Sequence, residues 1–414
     1  MKNKVTKLNK AYFLFIALLS FLFIFTACTP GKDSKLTTNR QEGRLEESKE
    51  GKSTFSSDSK QEDKKDNSSK DKAEDKKVED KKEDKKEAKT VELVPYTGKV
   101  EHIFFHPLIV YPELAFDGDG QANDFDDWFV TVEEFKKIID SLYKKNFILV
   151  DINSLYKEVT VNNEKRIQRK PIMIPKGKKP IILSVDDINY NRYMLKNGPN
   201  HKLVLDKDGN VAAYSINPKG EEVIVRDNEV IPIIDRFIEE HPDFSLNGAK
   251  GVLALTGYEG ILGYRTDRNS PNKESEKKEA LKIVEKLKET GWTFASHSYG
   301  HPNMRERTYV KAVDDTDKWQ KEVEALIGST QVYIYPFGAG LKETDGKFKY
   351  LQSKGFKIFC HVGSSSYERI VNSTNAVITD RRHVDGISLR KSRESFLDLY
   401  DANEIIDLKV RPKR

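Results

Sequence analysis

Two histidines spaced four residues apart, His297 and His301, are the side chains of this sequence best suited to hold a metal ion. They lie in the stretch Ser-His-Ser-Tyr-Gly-His-Pro, directly after residues 292–295, which are typical of a buried strand. The glycine and the proline of this stretch predict a turn at the histidines. Neutral imidazole is a common ligand of zinc and similar ions. Since two histidines rarely complete a site, we expect a carboxylate beside them.

Asp186 and Asp187 form an adjacent carboxylate pair at the end of a second apolar run, residues 180–185. Neighbouring carboxylates repel each other unless a cation or a proton holds them. The simplest resolution places one carboxylate on a metal with the two histidines and leaves the other free to act as a base. Such a ligand set keeps coordination positions open for water and substrate. The alternative is a surface aspartate pair and two histidines with structural hydrogen bonds only.

Three motifs in this order, each at a strand end, resemble those of the polysaccharide deacetylases (NodB homology, carbohydrate esterase family 4). They are Asp186-Asp187, then His297-Ser298-x-x-His301-Pro302, then Tyr335-Pro336-Phe337-Gly338. The resemblance covers residues 180 to 390 and implies a distorted (β/α)7 barrel.

The resemblance also implies a role for each motif residue. Asp187, His297 and His301 would hold a divalent metal, most often Zn²⁺, with Co²⁺, Ni²⁺ or Mn²⁺ as the other candidates. Asp186 would be the general base that takes a proton from the attacking water. The motif Tyr335-Pro336-Phe337 would contribute to the substrate site, with a backbone N–H near Phe337 stabilising the oxyanion.

The sequence departs from the family pattern at several positions. Ile188 follows the aspartates where a glycine is usual, and Ile334 stands about where many members have an arginine that orients the base. Arg381 or Arg382, from the last predicted strand, could replace that arginine, and we place Arg382 among the substrate-site candidates. The late Leu-x-His motif is not clear, so His383 becomes the candidate general acid, with a surface histidine as the alternative.

Two other side chains at strand ends could line the substrate pocket. His106 ends the first predicted strand, where a core or capping role is the alternative. Tyr258 follows the apolar run at residues 251–257 and could stack on a sugar ring or be an ordinary loop aromatic.

The elements that must position these residues alternate between apolar strands and amphipathic helices. Strands are predicted at residues 102–106, 147–150, 180–185, 251–257, 292–295, 332–335, 357–360 and 376–379, and helices at residues 131–146, 230–240, 276–290, 319–327 and 348–353. This alternation predicts an α/β fold in which helices cover a parallel sheet and the functional residues follow the strands.

One segment breaks the alternation. Residues 190–228 read as a β-meander with turns at Asp-Gly and Pro-Lys-Gly. This β-rich insertion follows Asp187 directly, so we expect it to overhang the metal site and shape a glycan groove. A decorative insertion is the alternative.

The N-terminus has the pattern of a bacterial lipoprotein signal. Residues 1–10 carry four lysines, and residues 11–25 are apolar apart from Ser20. Cys28 follows Thr-Ala and resembles a lipobox cysteine, although Phe25 stands where leucine is usual. The prediction is a signal peptide at residues 1–27, a lipid on Cys28 and attachment to the outer face of the cell membrane. An uncleaved membrane anchor is the alternative.

Residues 28–92 are dominated by Lys, Glu, Asp and Ser, so they predict a disordered tether to a folded domain at residues 93–414. The net charge is +5, but the lysines alternate with acidic residues and form no basic cluster. We therefore expect no nucleic-acid partner. Cys360, the other of the two cysteines, is predicted to be a buried core residue.

Together these features predict a monomeric N-deacetylase that acts on an N-acetylhexosamine polymer of the cell envelope. An O-acetyl esterase and a non-catalytic glycan-binding lipoprotein are the alternatives.

Overall fold

The structure is a computed structural model that describes residues 91–413. The predicted signal peptide, the predicted lipidation site Cys28 and nearly all of the predicted tether lie outside the described residues. Within residues 91–413, no helix combines the length and the apolar composition needed to cross a bilayer.

Seven parallel strands form a closed barrel in the order of the chain. Each strand pairs with the next, and the seventh pairs with the first. The strands are β1 (Glu101–Phe105), β2 (Lys179–Asp186), β3 (Val252–Leu255), β4 (Thr293–Ser296), β5 (Val332–Ile334), β6 (Ile358–Val362) and β7 (Ala376–His383). The predicted (β/α)7 barrel is therefore confirmed.

Helices form the outer layer and connect the strands. They are α1 (Pro112–Ala115), α2 (Ala122–Trp128), α3 (Val132–Lys144), α4 (Val230–Glu240), α5 (Lys273–Glu289), α6 (Tyr309–Trp319), α7 (Ala325–Ile327), α8 (Gly346–Ser353), α9 (Gly386–Lys391), α10 (Arg393–Phe396) and α11 (Ala402–Ile405). The helix predicted at 319–327 is wrong at its start, because Thr308 caps a helix that begins at Tyr309. That helix continues through one π-helical turn, Gln320–Glu324, into α7.

Side-chain alternation along the strands produces two apolar cores. The barrel interior contains small and branched side chains such as Ala254, Ala295 and Ile334, and Cys360 is buried there as predicted. The opposite strand faces pack on helices, as α3 shows: Phe135 and the other apolar residues of its inner stripe are buried. A closed barrel lets both faces of each strand be buried, which explains the continuous apolar runs in the sequence.

Several short strands outside the barrel were not predicted. The hairpin Tyr156–Val161 with Glu164–Arg169 and the pair Leu93–Tyr96 with Ile172–Pro175 contribute to the apolar cluster that includes the first residues of the barrel strands. They therefore close the N-terminal end of the barrel. Phe147–Leu149 pairs with β2, and Tyr367–Val371 runs antiparallel to β7.

The predicted β-meander exists as three antiparallel strands, Lys202–Leu205, Val211–Ile216 and Glu222–Val225. That the insertion shapes a groove over the metal site stays a prediction. The second strand packs against α4, and the first two strands pack against α5 in the outer layer. The physical reason is its apolar face: Leu203 and Val211 are fully buried in the helix-side core.

Candidate active site

The three predicted metal ligands come together at the carboxyl end of the barrel. Asp187 directly follows β2, and His297 directly follows β4. Asp187, His297 and His301 each offer one ligand atom, and these three atoms all lie within 4.8 Å of one another. Parallel strands end at the same edge, so residues more than a hundred positions apart converge there.

The turns that present these residues have an unusual backbone. Asp187, Ser298, His301 and Phe337 all have positive φ values, of 56°, 59°, 52° and 58°. A left-handed conformation costs a non-glycine residue roughly 1–2 kcal/mol. Such a cost persists only where surrounding contacts impose the conformation, and it concentrates here at the predicted site.

Asp315 of α6 imposes the turn between the two histidines. Its two carboxylate oxygens accept hydrogen bonds from the backbone N–H groups of Tyr299 and Gly300, each at 2.8 Å. The Tyr299 hydroxyl donates to Glu322 at 2.8 Å. The sequence contains no signal for Asp315, because an acidic residue on a polar helix has many ordinary explanations.

Asn189 has a similar function in the turn after the aspartates. Its side-chain amide donates to the carbonyl oxygens of Thr256 and Gly260, and its Oδ1 accepts from the Thr256 N–H at 3.1 Å. The side chain is fully buried. The turn after β2 is therefore fastened to the turn after β3.

The protonation of His297 suits a metal ligand. Its Nδ1 lies 2.9 Å from the Ile334 carbonyl oxygen, which can only accept, so Nδ1 carries the proton and Nε2 presents a lone pair. Burial lowers the pKa of His297, against the raising effect of the two aspartates, which favours neutral imidazole. His301 Nε2 lies 3.5 Å from Asp187 Oδ2. Ligands at about 2.1 Å from one ion lie roughly 3–4 Å apart, so this donor set fits a zinc-type divalent ion.

Asp186 has different surroundings from its neighbour. Arg381 donates to both of its carboxylate oxygens, at 2.7 and 2.8 Å, and both side chains are buried. Burial alone would raise the pKa of Asp186, but Arg381 and then His297 hold it well below its usual range. Because both oxygens of Asp186 are held by Arg381 in the ionised form, Asp186 matches the predicted base better than a metal ligand.

Arg381, and not Arg382, lies where it can orient Asp186. Strand β7 extends to His383, four residues beyond the predicted end, so both arginines lie inside it. Successive side chains of a strand point to opposite faces. Arg382 therefore points away from Asp186 and pairs with Glu101 and Asp398, each at 3.0 Å. The structure does not bring Arg382 to the substrate site.

His383 has the same inward orientation as Arg381. Its Nδ1 lies 3.0 Å from Asp385 Oδ2, and its Nε2 lies 3.1 Å from His106 Nδ1. The imidazole stacks on Phe104 with ring centroids 4.2 Å apart. Only 15% of the His383 side chain is exposed, so this residue is not the surface histidine of the alternative interpretation.

His106 connects His383 to the metal ligands. Its Nδ1 lies 3.1 Å from the Trp128 carbonyl oxygen, which requires a proton on Nδ1, and its Nε2 lies 4.0 Å from Asp187 Oδ2. Burial, followed by the neighbouring His383, lowers the pKa of His106 to about 4. These contacts are all satisfied when both imidazoles are neutral. The His106 Nδ1–H is then shared between the Trp128 carbonyl oxygen and His383 Nε2, and the His383 Nδ1–H points to Asp385.

The side chains of the third motif, Tyr335-Pro336-Phe337, lie partly in the core and partly on the surface. The Phe337 ring is 66% exposed and lies edge-on to His301, with centroids 4.6 Å apart. Tyr335 is fully buried against Phe359, and Pro336 is also buried. Of the three predicted substrate residues in this motif, the structure thus leaves only the Phe337 side chain open to a substrate.

Tyr258 is partly buried, and its hydroxyl oxygen accepts a hydrogen bond from Asn191 at 2.5 Å. Beside it, Tyr193, which was not predicted from the sequence, is 45% exposed. Trp128, also unpredicted, lies parallel to the His383 ring and is 40% exposed. Aromatic side chains therefore flank the site on several sides.

Comparisons with known proteins find a matching family model and several similar solved structures. Residues 264–359 match the family model of the polysaccharide deacetylases. No curated protein matches the chain. Among solved structures, the chain is similar to a Streptococcus pyogenes deacetylase, PplD, in complex with acetate, at 12% identity and a TM-score of 0.38, covering 71% of this chain and 94% of that one. It is also similar to a polysaccharide deacetylase from Bacillus cereus, at 13% identity and a TM-score of 0.39, covering 73% of this chain and 69% of that one. The family-model match over residues 264–359 and the ordered motifs that converge at one end of the barrel make this chain similar to the polysaccharide deacetylases.

Proposed function

We propose that this protein is a metal-dependent N-deacetylase that removes acetyl groups from N-acetylhexosamine units of a cell-envelope polysaccharide. The match of residues 264–359 to the polysaccharide deacetylase model supports deacetylation of a polysaccharide. One observation carries the finer proposal: an arginine-held carboxylate and a carboxylate-held imidazole flank the cluster of Asp187, His297 and His301. Hydrolysis of an amide needs both a base and an acid.

Asp187, His297 and His301 would hold the divalent ion, with zinc as the first candidate. Such an ion, when bound, lowers the pKa of water toward about 7 and polarises a carbonyl group. Asp186 accepts the proton of the attacking water, because Arg381 keeps its carboxylate ionised and oriented. A backbone N–H near Phe337 stabilises the oxyanion.

Once protonated on Nε2, His383 donates that proton to the sugar nitrogen as the C–N bond breaks, so acetate and a free amine leave; the His106 N–H then points to the Trp128 carbonyl oxygen alone. Its partners support this role, since Asp385 stabilises the charged imidazole and His106 fixes the ring. An amide nitrogen is a poor leaving group without a proton, whereas an ester oxygen leaves more easily. A dedicated acid therefore favours an N-acetyl substrate over an O-acetyl one.

Acetate release tests the proposal. The folded protein, loaded with Zn²⁺, is incubated with a panel of N-acetylated and O-acetylated wall polysaccharides, with chelator-treated protein as the control. We expect acetate and new amino groups from N-acetylated polymers, with the activity lost on chelation. Release from O-acetyl esters alone would indicate an esterase, and glycan binding without release would indicate a binding protein.

We also propose that the mature chain begins at Cys28 and is held by lipid at the outer face of the cell membrane. The support is the sequence pattern of residues 1–28. Buried acyl chains contribute about 0.8 kcal/mol per CH₂, and stable attachment takes more than one chain. Cys28→Ser should abolish lipid labelling. Intact-mass measurement of the wild type decides: a mature protein with unmodified Cys28, or one that retains residues 1–25, contradicts the proposal.

A further inference from the structure

Arg411 is the fourth residue from the end of the sequence, yet its guanidinium is buried in the domain. All five N–H donors of the guanidinium have an acceptor. Nε and one Nη2 hydrogen reach the two oxygens of Glu134, each at 2.7 Å. Nη1 donates to the carbonyl oxygen and Oδ1 of Asp126, and Nη2 also donates to the Phe129 carbonyl oxygen, all at 2.8 Å. One arginine thereby clamps the short segment 126–134.

Trp128 lies inside this clamped segment. Arg411 binds the carbonyl oxygen of Asp126 on one side of Trp128 and that of Phe129 on the other. Arg390 adds a second contact to Asp126 Oδ1 at 2.8 Å. Since both ends of the four-residue span from Asp126 to Phe129 are fixed, the Trp128 peptide has little freedom to move.

Trp128 in turn lies next to His106 and His383, which together form the proposed proton-transfer half of the site. Its carbonyl oxygen lies 3.1 Å from His106 Nδ1, and its indole lies parallel to the His383 ring at a centroid distance of 6.1 Å. The indole itself is 40% exposed, so side-chain packing alone holds it weakly. The hydrogen bonds of Arg411 supply the constraint that packing does not.

We propose that Arg411 is a positioning residue for the reaction: it fixes Trp128 and thereby holds His106 and His383 in the arrangement that donates the proton. The effect on turnover rests on the proposed function, whereas the effect on Trp128 does not. If Arg411 had a purely structural role, its substitution would lower thermal stability and leave both the turnover and the exposure of Trp128 unchanged.

The test compares Arg411→Met and Arg411→Lys with a control, Lys178→Met. Lys178 forms another ion pair, with Asp243 at 2.7 Å, directly before the first residue of β2 and thus at the opposite end of that strand from Asp187. For each full-length variant, kcat, KM, zinc content, melting temperature and acrylamide quenching of tryptophan fluorescence are measured. Quenching reports mainly on Trp128, because Trp292 and Trp319 are buried.

We expect Arg411→Met to lower kcat by about tenfold or more, the usual scale for a residue that orients a ligand or an acid. KM and zinc content should stay at wild-type values, and quenching of Trp128 should increase. Arg411→Lys keeps the charge but cannot reach both flanking carbonyl groups. Its kcat should therefore lie between the values of the wild type and of Arg411→Met. Lys178→Met should lower the melting temperature alone.

Wild-type kcat and wild-type quenching in a folded Arg411→Lys or Arg411→Met protein would overturn the proposal. If Arg411→Met does not fold, kcat and fluorescence quenching of Arg411→Lys decide whether the proposal holds. If the wild-type protein releases no acetate, the proposed function fails, and the quenching comparison still decides whether Arg411 positions Trp128.

Discussion

The proposed metal half of the site takes its ligands from the turns after β2 and β4, whereas the proposed proton-transfer half is assembled from β7, β1 and the chain near Trp128. In the first half, His297 and His301 are four residues apart and share one turn. In the second, His383 and His106 are 277 residues apart and meet because β7 pairs with β1. Barrel closure therefore builds the second half, while local turns build most of the first.

Asp186 and Asp187 repeat this contrast at adjacent positions. Asp186 points into the barrel, where Arg381 occupies both of its oxygens. Asp187 adopts a left-handed backbone conformation and turns toward His301. Two identical side chains thus acquire different chemistry from their surroundings alone, and substitutions that separate the two halves test this comparison.

The largest effect is expected from His297→Ala in the metal half. Two remaining ligands hold zinc poorly, so bound metal and acetate release should both fall to background. Metal analysis of the purified variant checks this result. His241→Ala, outside the site, serves as the control, and stoichiometric zinc in His297→Ala would refute the assigned ligand set.

Asp186→Asn should separate base from ligand. Turnover should fall by at least about a hundredfold, the usual scale for a general base, with zinc content unchanged. Asp187→Asn should lose metal as well as activity. The opposite pattern, with metal lost from Asp186→Asn and kept by Asp187→Asn, would show that the two roles are reversed.

His383→Gln should lower kcat about a hundredfold on an N-acetylated glycan, because the leaving nitrogen loses its proton donor. Cleavage of an activated acetyl ester should decrease much less, since its leaving group needs no proton. Comparison of the two substrates with one enzyme preparation measures the difference. Equal losses on both substrates would assign His383 another role.

The smallest difference concerns Arg381 and Arg382, neighbours on opposite faces of β7. Arg381→Met should lower kcat by about tenfold or more because Asp186 loses the group that orients it. Arg382→Met should leave kcat nearly unchanged and reduce thermal stability, since it breaks a pair with Glu101 that lies away from the site. Steady-state kinetics and thermal melts check both variants. A greater loss of kcat from Arg382→Met would reverse the assignment.

Much of this protein could be predicted from sequence patterns that depend on nearby residues. Apolar strands alternating with amphipathic helices predicted the barrel, and the Asp-Asp and His-x-x-x-His motifs predicted which side chains converge. The meander was also predicted as three strands. These features are local in the chain, so periodicity and turn residues encode them.

The remaining features were decided by the tertiary structure. Only the length and closure of β7 determine that Arg381 faces Asp186, that Arg382 faces Asp398 and that His383 reaches His106. The meander packs on α4 and α5 because its apolar face needs a partner that the sequence pattern does not name. Contacts between residues far apart in the chain depend on strand register and barrel closure, and a single sequence carries no local signal for either.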